Sequence, residues 1–103
     1  PVLEQLLAFP NPFTDQVKFK LTHQEQGEEG EIKVSVTNNQ GHLVWQRTQN
    51  LRLNGATTQL PTFTMSEQPG QTPGAGFYSV RVEWTRLIDG KSATIQEKLI
   101  YIR

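Results

Sequence analysis

Apolar and polar residues alternate along most of the chain. Val17, Phe19 and Leu21 are spaced by Lys18 and Lys20; Ile32, Val34 and Val36 by Lys33 and Ser35; Tyr78, Val80, Val82 and Trp84 by Ser79, Arg81 and Glu83. A period of two sends successive side chains to opposite sides of an extended backbone. Each run therefore predicts a strand with one face in a core and the other in water. The closing run IQEKLIYIR (95–103) changes character: Ile95, Leu99 and Tyr101 share one face, Ile100 and Ile102 the other. Apolar groups on both faces suit a strand covered on both sides, or one whose outer face awaits a partner.

Turn signals separate these runs: QGEEGE (26–31), NNQG (38–41), NG (54–55), PGQTPGAG (69–76) and DG (89–90). Asn-Gly and Asp-Gly supply the positive φ of tight turns, and the DG in RLIDGKSAT is the strongest hairpin signal. The pattern predicts about seven strands, near 3–9, 16–23, 31–37, 42–48, 57–64, 76–86 and 92–102, with 61–76 as a long crossing loop. LEQLLA at the start is ambiguous, and no other window has a helical period. Short strands with turns at this spacing predict an all-β fold, an immunoglobulin-like antiparallel β-sandwich.

FPNPF (9–13) interrupts the alternation. Each proline pushes the residue before it to extended geometry and lacks a backbone donor, so a central strand is excluded. An edge strand or a stiff crossing between two sheets fits. Phe9 and Phe13 are expected to place rings in the core from its two ends, and Asn11 to bond nearby backbone as in an Asx-turn.

Composition narrows the function. The 103 residues carry ten basic and ten acidic side chains, 35% apolar residues and no cysteine. Zero net charge argues against nucleic acid or an anionic membrane as the main partner. The absence of cysteine excludes a disulfide scaffold, a thiolate metal site and a cysteine nucleophile. No apolar run approaches the roughly 20 residues of a membrane helix. The length suits one domain, 1–103, and the start at Pro1 instead of Met suggests a piece of a longer protein.

Candidate chemistry is sparse. His23 and His42 stand at strand ends with no acid and nucleophile at credible spacing, and are expected to be ordinary surface residues. Glu25, Glu28, Glu29 and Glu31 lack the ligand spacing of a calcium loop and suit a solvated hairpin tip. GQTPGAG has no lysine and opens no helix, so it is not a phosphate cradle. Trp45, Trp84, Tyr78 and Tyr101 could form a sugar-stacking platform, but on alternating strands they are more often core. Neither a cofactor nor a metal is expected, and an enzyme is the least favoured class.

Four stretches in order carry a resemblance: AFPNPF (8–13) before the strand VKFKL, IKVSVTNNQGHLVW (32–45), GFYSVRV (76–82), and DGKSATIQEKLIYIR (89–103) at the terminus. Together they resemble the C-terminal sorting domains of the Bacteroidetes type IX secretion system. The resemblance implies an immunoglobulin-like sandwich that takes its parent protein through the periplasm and across the outer membrane to the cell surface. The implied partner is the outer-membrane secretion machinery, in particular a PorV-like barrel. The implied partner-binding positions are Gly76, Tyr78, Val80, Gly90, Lys98, Leu99, Ile100, Tyr101, Ile102 and Arg103, with Phe9, Pro10, Asn11, Pro12, Phe13 and Gly41 as structural motif. The long hairpins, with KLTH and HLVW, look more like the domain of the system's surface peptidase, which is retained as an anchor; a removable cargo signal, or a glycan-binding or structural module, is the alternative.

Overall fold

The computed structural model describes residues 2–65 and 75–102. Its eight strands are β1 (Leu3–Phe9), β2 (Gln16–His23), β3 (Glu28–Asn38), β4 (Leu43–Leu53), β5 (Thr57–Gln59), β6 (Phe63–Thr64), β7 (Gly76–Arg86) and β8 (Ser92–Tyr101). They form two antiparallel sheets, β1-β2-β5 with β6 also on β2, and β4-β3-β7-β8. This is the expected immunoglobulin-like sandwich. The ambiguous LEQLLA is a strand. The expected strand 57–64 is two short ones, because β5 pairs with the middle of β2 and β6 with its start. Leu60 keeps them in line by donating to Phe19 O at 3.0 Å. The bulk of the 61–76 crossing loop, 66–74, lies outside the described residues.

Period-two parity decides the core. Val17, Phe19 and Leu21 of β2 face Ile32, Val34 and Val36 of β3 and Val80, Val82 and Trp84 of β7, all with at most 1% exposure. Burying such side chains contributes about 1.5–3 kcal/mol each, enough to fix which face of each strand points inward. The parity runs further than the apolar residues do. His23 and Glu25 continue the β2 series and are buried, not surface groups as expected. His23 Nε2 lies 3.1 Å from Thr58 Oγ1. Glu25 receives Trp84 Nε1 at 3.1 Å and both Nε and Nη2 of Arg86, at 3.0 and 2.9 Å. The acidic stretch is therefore split: Glu25 ties the two sheets together, while Glu29 and Glu31 face solvent.

This pair gives stability a sign with pH. Hydrogen bonds from Arg86, ahead of the burial that opposes them and with help from Trp84, hold the Glu25 carboxyl below its ordinary value of 4.5. Between the folded and unfolded pKa the unfolded chain binds more protons, so stability rises with pH there. The contribution is complete above about 4.5 and lost as pH falls through the lowered folded value. Asp89, held below 3.8 first by the Lys91 backbone N–H, acts in the same direction. Urea midpoints of the native chain are expected to fall on acidification below pH 4.5, and Glu25→Gln to flatten that fall; equal slopes in both proteins would refute the assignment.

Candidate functional site

The chain end, the start of β7, the 38–41 turn and the proline segment meet at one end of the sandwich. Asn38 builds the turn: its Oδ1 accepts from Gln40 N and His42 N at 2.9 and 3.0 Å. Gly41 closes the turn at φ +82°, a left-handed value that disfavours other residues. β7 and β8 pair without interruption, Gly76 opposite Tyr101, Phe77 opposite Ile100, Tyr78 opposite Leu99 and Ser79 opposite Lys98.

Alternation divides these residues by face. Tyr78 and Leu99 are in the core, and Tyr101, half-buried, packs edge-on to Tyr78 at 6.1 Å and tilted on Phe13 at 5.3 Å. The opposite parity turns Phe77 and Ile100 outward, with Phe77 54% exposed and Ile102 beyond the strand end 44% exposed. Lys98 Nζ stands 4.9 Å from the Phe77 ring centroid, a cation–π contact. An open groove of about 550 Å³ runs beside them, lined by Asn39, Gly41, Phe77, Ser79 and Lys98 among others. A larger groove, about 600 Å³, lies at the opposite end, walled by the Glu29 and Arg52 ion pair and by Leu87.

The proline segment crosses from β1 to the outer edge of β8, with both Phe9-Pro10 and Asn11-Pro12 in cis. Asn11 does not form the expected local turn. Its Nδ2 donates to Lys98 O and its Oδ1 accepts from Ile100 N, both at 2.9 Å. Phe13 N then donates to Ile100 O at 2.8 Å, and Phe13 O accepts from Ile102 N at 2.9 Å. Phe13 enters the core with no exposure, but Phe9 stays 38% exposed, contrary to expectation. A register shift between Leu3 and Gln5 moves the inward parity of β1 onto Leu6 and Ala8 and turns Phe9 out.

Of the positions the resemblance singled out, Gly76, Tyr78, Val80, Lys98, Leu99, Ile100 and Tyr101 lie together on two paired strands, with Ile102 just beyond the end of β8 and Gly41 lining the groove alongside. Val80, Leu99 and Tyr78 are buried, so they hold the strand and do not present it. Gly90 sits at the far end, in the β7–β8 hairpin at φ +71°, and Arg103 lies outside the described residues. Phe77 was not singled out, although its odd number in an even-buried strand marks it as outward. Trp84 and Tyr78 are core and Trp45 and Tyr101 half-buried, so the four rings form no exposed stacking platform. Among the described residues no group of three or more His, Asp or Glu side chains could hold a metal.

Fold and site together define a small immunoglobulin-like β-sandwich module whose distinctive surface is its clasped terminal strand. The chain belongs to the secretion system C-terminal sorting domain family, whose model matches residues 7–101. This agrees with the type IX resemblance: a sorting signal that engages secretion machinery and directs export to the cell surface, a task that is non-catalytic in the family. No curated protein matches the chain. Among solved structures, the β-glucuronidase of Parabacteroides merdae is similar at TM-score 0.74 and 14% identity, over 96% of this chain and 13% of that one. Dimeric latent PorU from Porphyromonas gingivalis is similar at TM-score 0.72 and 21% identity, over 94% of this chain and 9% of that one. Both likenesses concern the fold, and this chain spans a small part of either protein.

Proposed function

We propose that the outward face of the terminal strand, with Phe77, Lys98, Ile100 and Ile102, is the surface that the outer-membrane component of the machinery reads, a barrel of the PorV kind. The supporting observation is that Phe77 and Ile102 stand exposed there, with Ile100 half-buried between them, while Tyr78 and Leu99 beside them are locked in the core. Apolar area rimmed by one cation is a usual docking surface, because its desolvation favours association and the charge orients it. In this reading the 103 residues are one domain at the end of a longer protein, retained as an anchor at the outer membrane, and any peptidase chemistry belongs to the parent.

Removing residues 99–103 would be a poor test, because Leu99 has no exposure and its loss would damage the core. Phe77→Ser and Ile102→Ser change exposed side chains. In the full-length parent each is expected to cut the surface-attached amount by about tenfold, as for loss of one apolar anchor worth about 1.4 kcal/mol, with the melting temperature unchanged. Parental amounts of both variants at the surface would sink the proposal. The mass of the mature surface protein separates anchor from cargo signal, since a removed signal would be missing from it.

A further inference from the structure

A partner can read a terminal strand in two ways. It can add a strand of its own to the backbone, or it can take up the side chains of the open face. The outer edge of β8 separates the two, because between Lys98 and Ile102 its main chain is already in use. Leu99 and Tyr101 stand opposite Tyr78 and Gly76 and bond inward to β7. On the outer side Lys98 N donates to Glu97 Oε1, Lys98 O accepts from Asn11 Nδ2, and Ile100 N donates to Asn11 Oδ1, all at 2.9 Å. Ile100 O accepts from Phe13 N at 2.8 Å and Ile102 N donates to Phe13 O at 2.9 Å, with Phe13 in a parallel bridge to Tyr101. From Lys98 N to Ile102 N the chain fills its own edge.

We propose that the outer-membrane component reads this end of the chain through side chains alone, with the proline segment left in place, and that Asn11 is the positioning residue for that contact. The proposal rests on the outward face argued above and names the chemistry of the partner that fits it. That partner offers an apolar recess for Phe77, Ile100 and Ile102 and a carboxylate for Lys98, and it brings no sheet edge. Asn11 acts through the main chain of Lys98 and Ile100, the two residues of β8 whose side chains belong to that face. Its amide gives the strand one donor and one acceptor, as a residue of a neighbouring strand would, and so fixes where those two side chains stand. The core does not depend on it. Residues 9–12 are exposed, and Phe13, fully buried, anchors the segment without the Asn11 side chain. Removing the amide therefore frees Lys98 O and Ile100 N and leaves the packing of the two sheets as it was.

The two ways of reading give Asn11→Ala opposite signs. For a partner that adds a strand, Asn11 competes for the same main-chain groups, and its removal raises recognition. For a partner that reads side chains, removal loosens the face being read and lowers recognition. The test uses the full-length parent, with Phe77→Ser and Ile102→Ser alongside. Asn11→Ala is expected to cut the surface-attached amount about fivefold, as for the loss of one hydrogen bond's worth of preorganisation, with the melting temperature unchanged. In the purified parent the Ile100 amide is expected to exchange about tenfold faster while that of Val34 keeps its rate. A surface-attached amount that rises in Asn11→Ala would overturn the proposal in favour of strand addition. An unchanged amount beside faster Ile100 exchange, or unchanged Ile100 exchange, would overturn the positioning role. Parental amounts of Phe77→Ser and Ile102→Ser would instead sink the outward face itself, and the proposal with it; a fall in those two but not in Asn11→Ala sinks the present proposal alone.

Discussion

Gly30→Ala is expected to lower the melting temperature by roughly 12–24 °C, for a destabilisation of about 3 kcal/mol. Gly30 lies within β3, opposite Leu51 on one side and Arg86 on the other. A Cβ there would press on the Thr85 backbone oxygen and stand 2.7 Å from Trp84 Cη2 and 2.9 Å from its Cζ2. Neither neighbour can yield easily. Thr85 belongs to β7, whose ladder with β3 flanks the site, and Trp84 is 1% exposed with its Nε1 held by Glu25 Oε2. Overpacking of a rigid site typically costs about 1–3 kcal/mol, and contact with backbone on one side and a fixed indole on the other puts Gly30 at the upper end. Gly41→Ala makes the contrast, because nothing stands within 4 Å of its added Cβ and only the φ of +82° opposes it. That cost is of order 1 kcal/mol. Thermal unfolding followed by circular dichroism checks both, and a Gly30→Ala melting temperature no lower than that of Gly41→Ala would refute the packing argument.

Gly30 also shows where the sequence could be read and where it could not. Alternation alone placed β2, β3 and β7 and assigned their inward faces, because burial of a whole face outweighs any local preference. The glycines of QGEEGE read as one turn, yet only Gly27 turns, at φ +79°, and Gly30 is there because an indole from β7 occupies the space of a side chain. That partner lies 54 positions along the chain, and no local pattern announces it. Glu25 and His23 sat in register with Val17, Phe19 and Leu21, so their parity was visible. What hid their burial was the need for Arg86 and Thr58 as partners. Phe9 failed the other way, since a shifted register near Leu3 reversed the parity that symmetry of FPNPF suggested. In the candidate site, the terminal strand stood out by its two apolar faces. The parity of Phe77 was legible within its own strand, but its place beside Lys98 and Ile100, like the reach of Asn11, depends on which strands become neighbours.

Phe13→Ala is expected to cost about 3–5 kcal/mol, a large share of the roughly 5–15 kcal/mol that holds a domain of this size. Phe13 has no exposure, and its ring meets Phe63 edge-on at 6.2 Å and Tyr101 at 5.3 Å. Its main chain is also the last bond of the clasp, to Ile100 O and Ile102 N. Truncation leaves those main-chain partners in place but removes the ring that fixes their position, so the loss is of two kinds. The cavity destabilises the whole sandwich, and the end of β8 loosens beyond that average. Phe13→Leu keeps a branched apolar side chain in the site and should cost less than Phe13→Ala, since fewer buried atoms are lost and the cavity is smaller. Urea unfolding measures the global term, and amide exchange measures the local one. The expected pattern in Phe13→Ala is that Ile102 loses more protection than Val34, whose amide lies in the central β3. If both amides lose protection equally, the segment at 9–13 stabilises the sandwich without particular purchase on the terminal strand. The site would then rest on β7 alone, and export of a Phe13→Leu parent should match the native level even where its Ile102 exchange is fast.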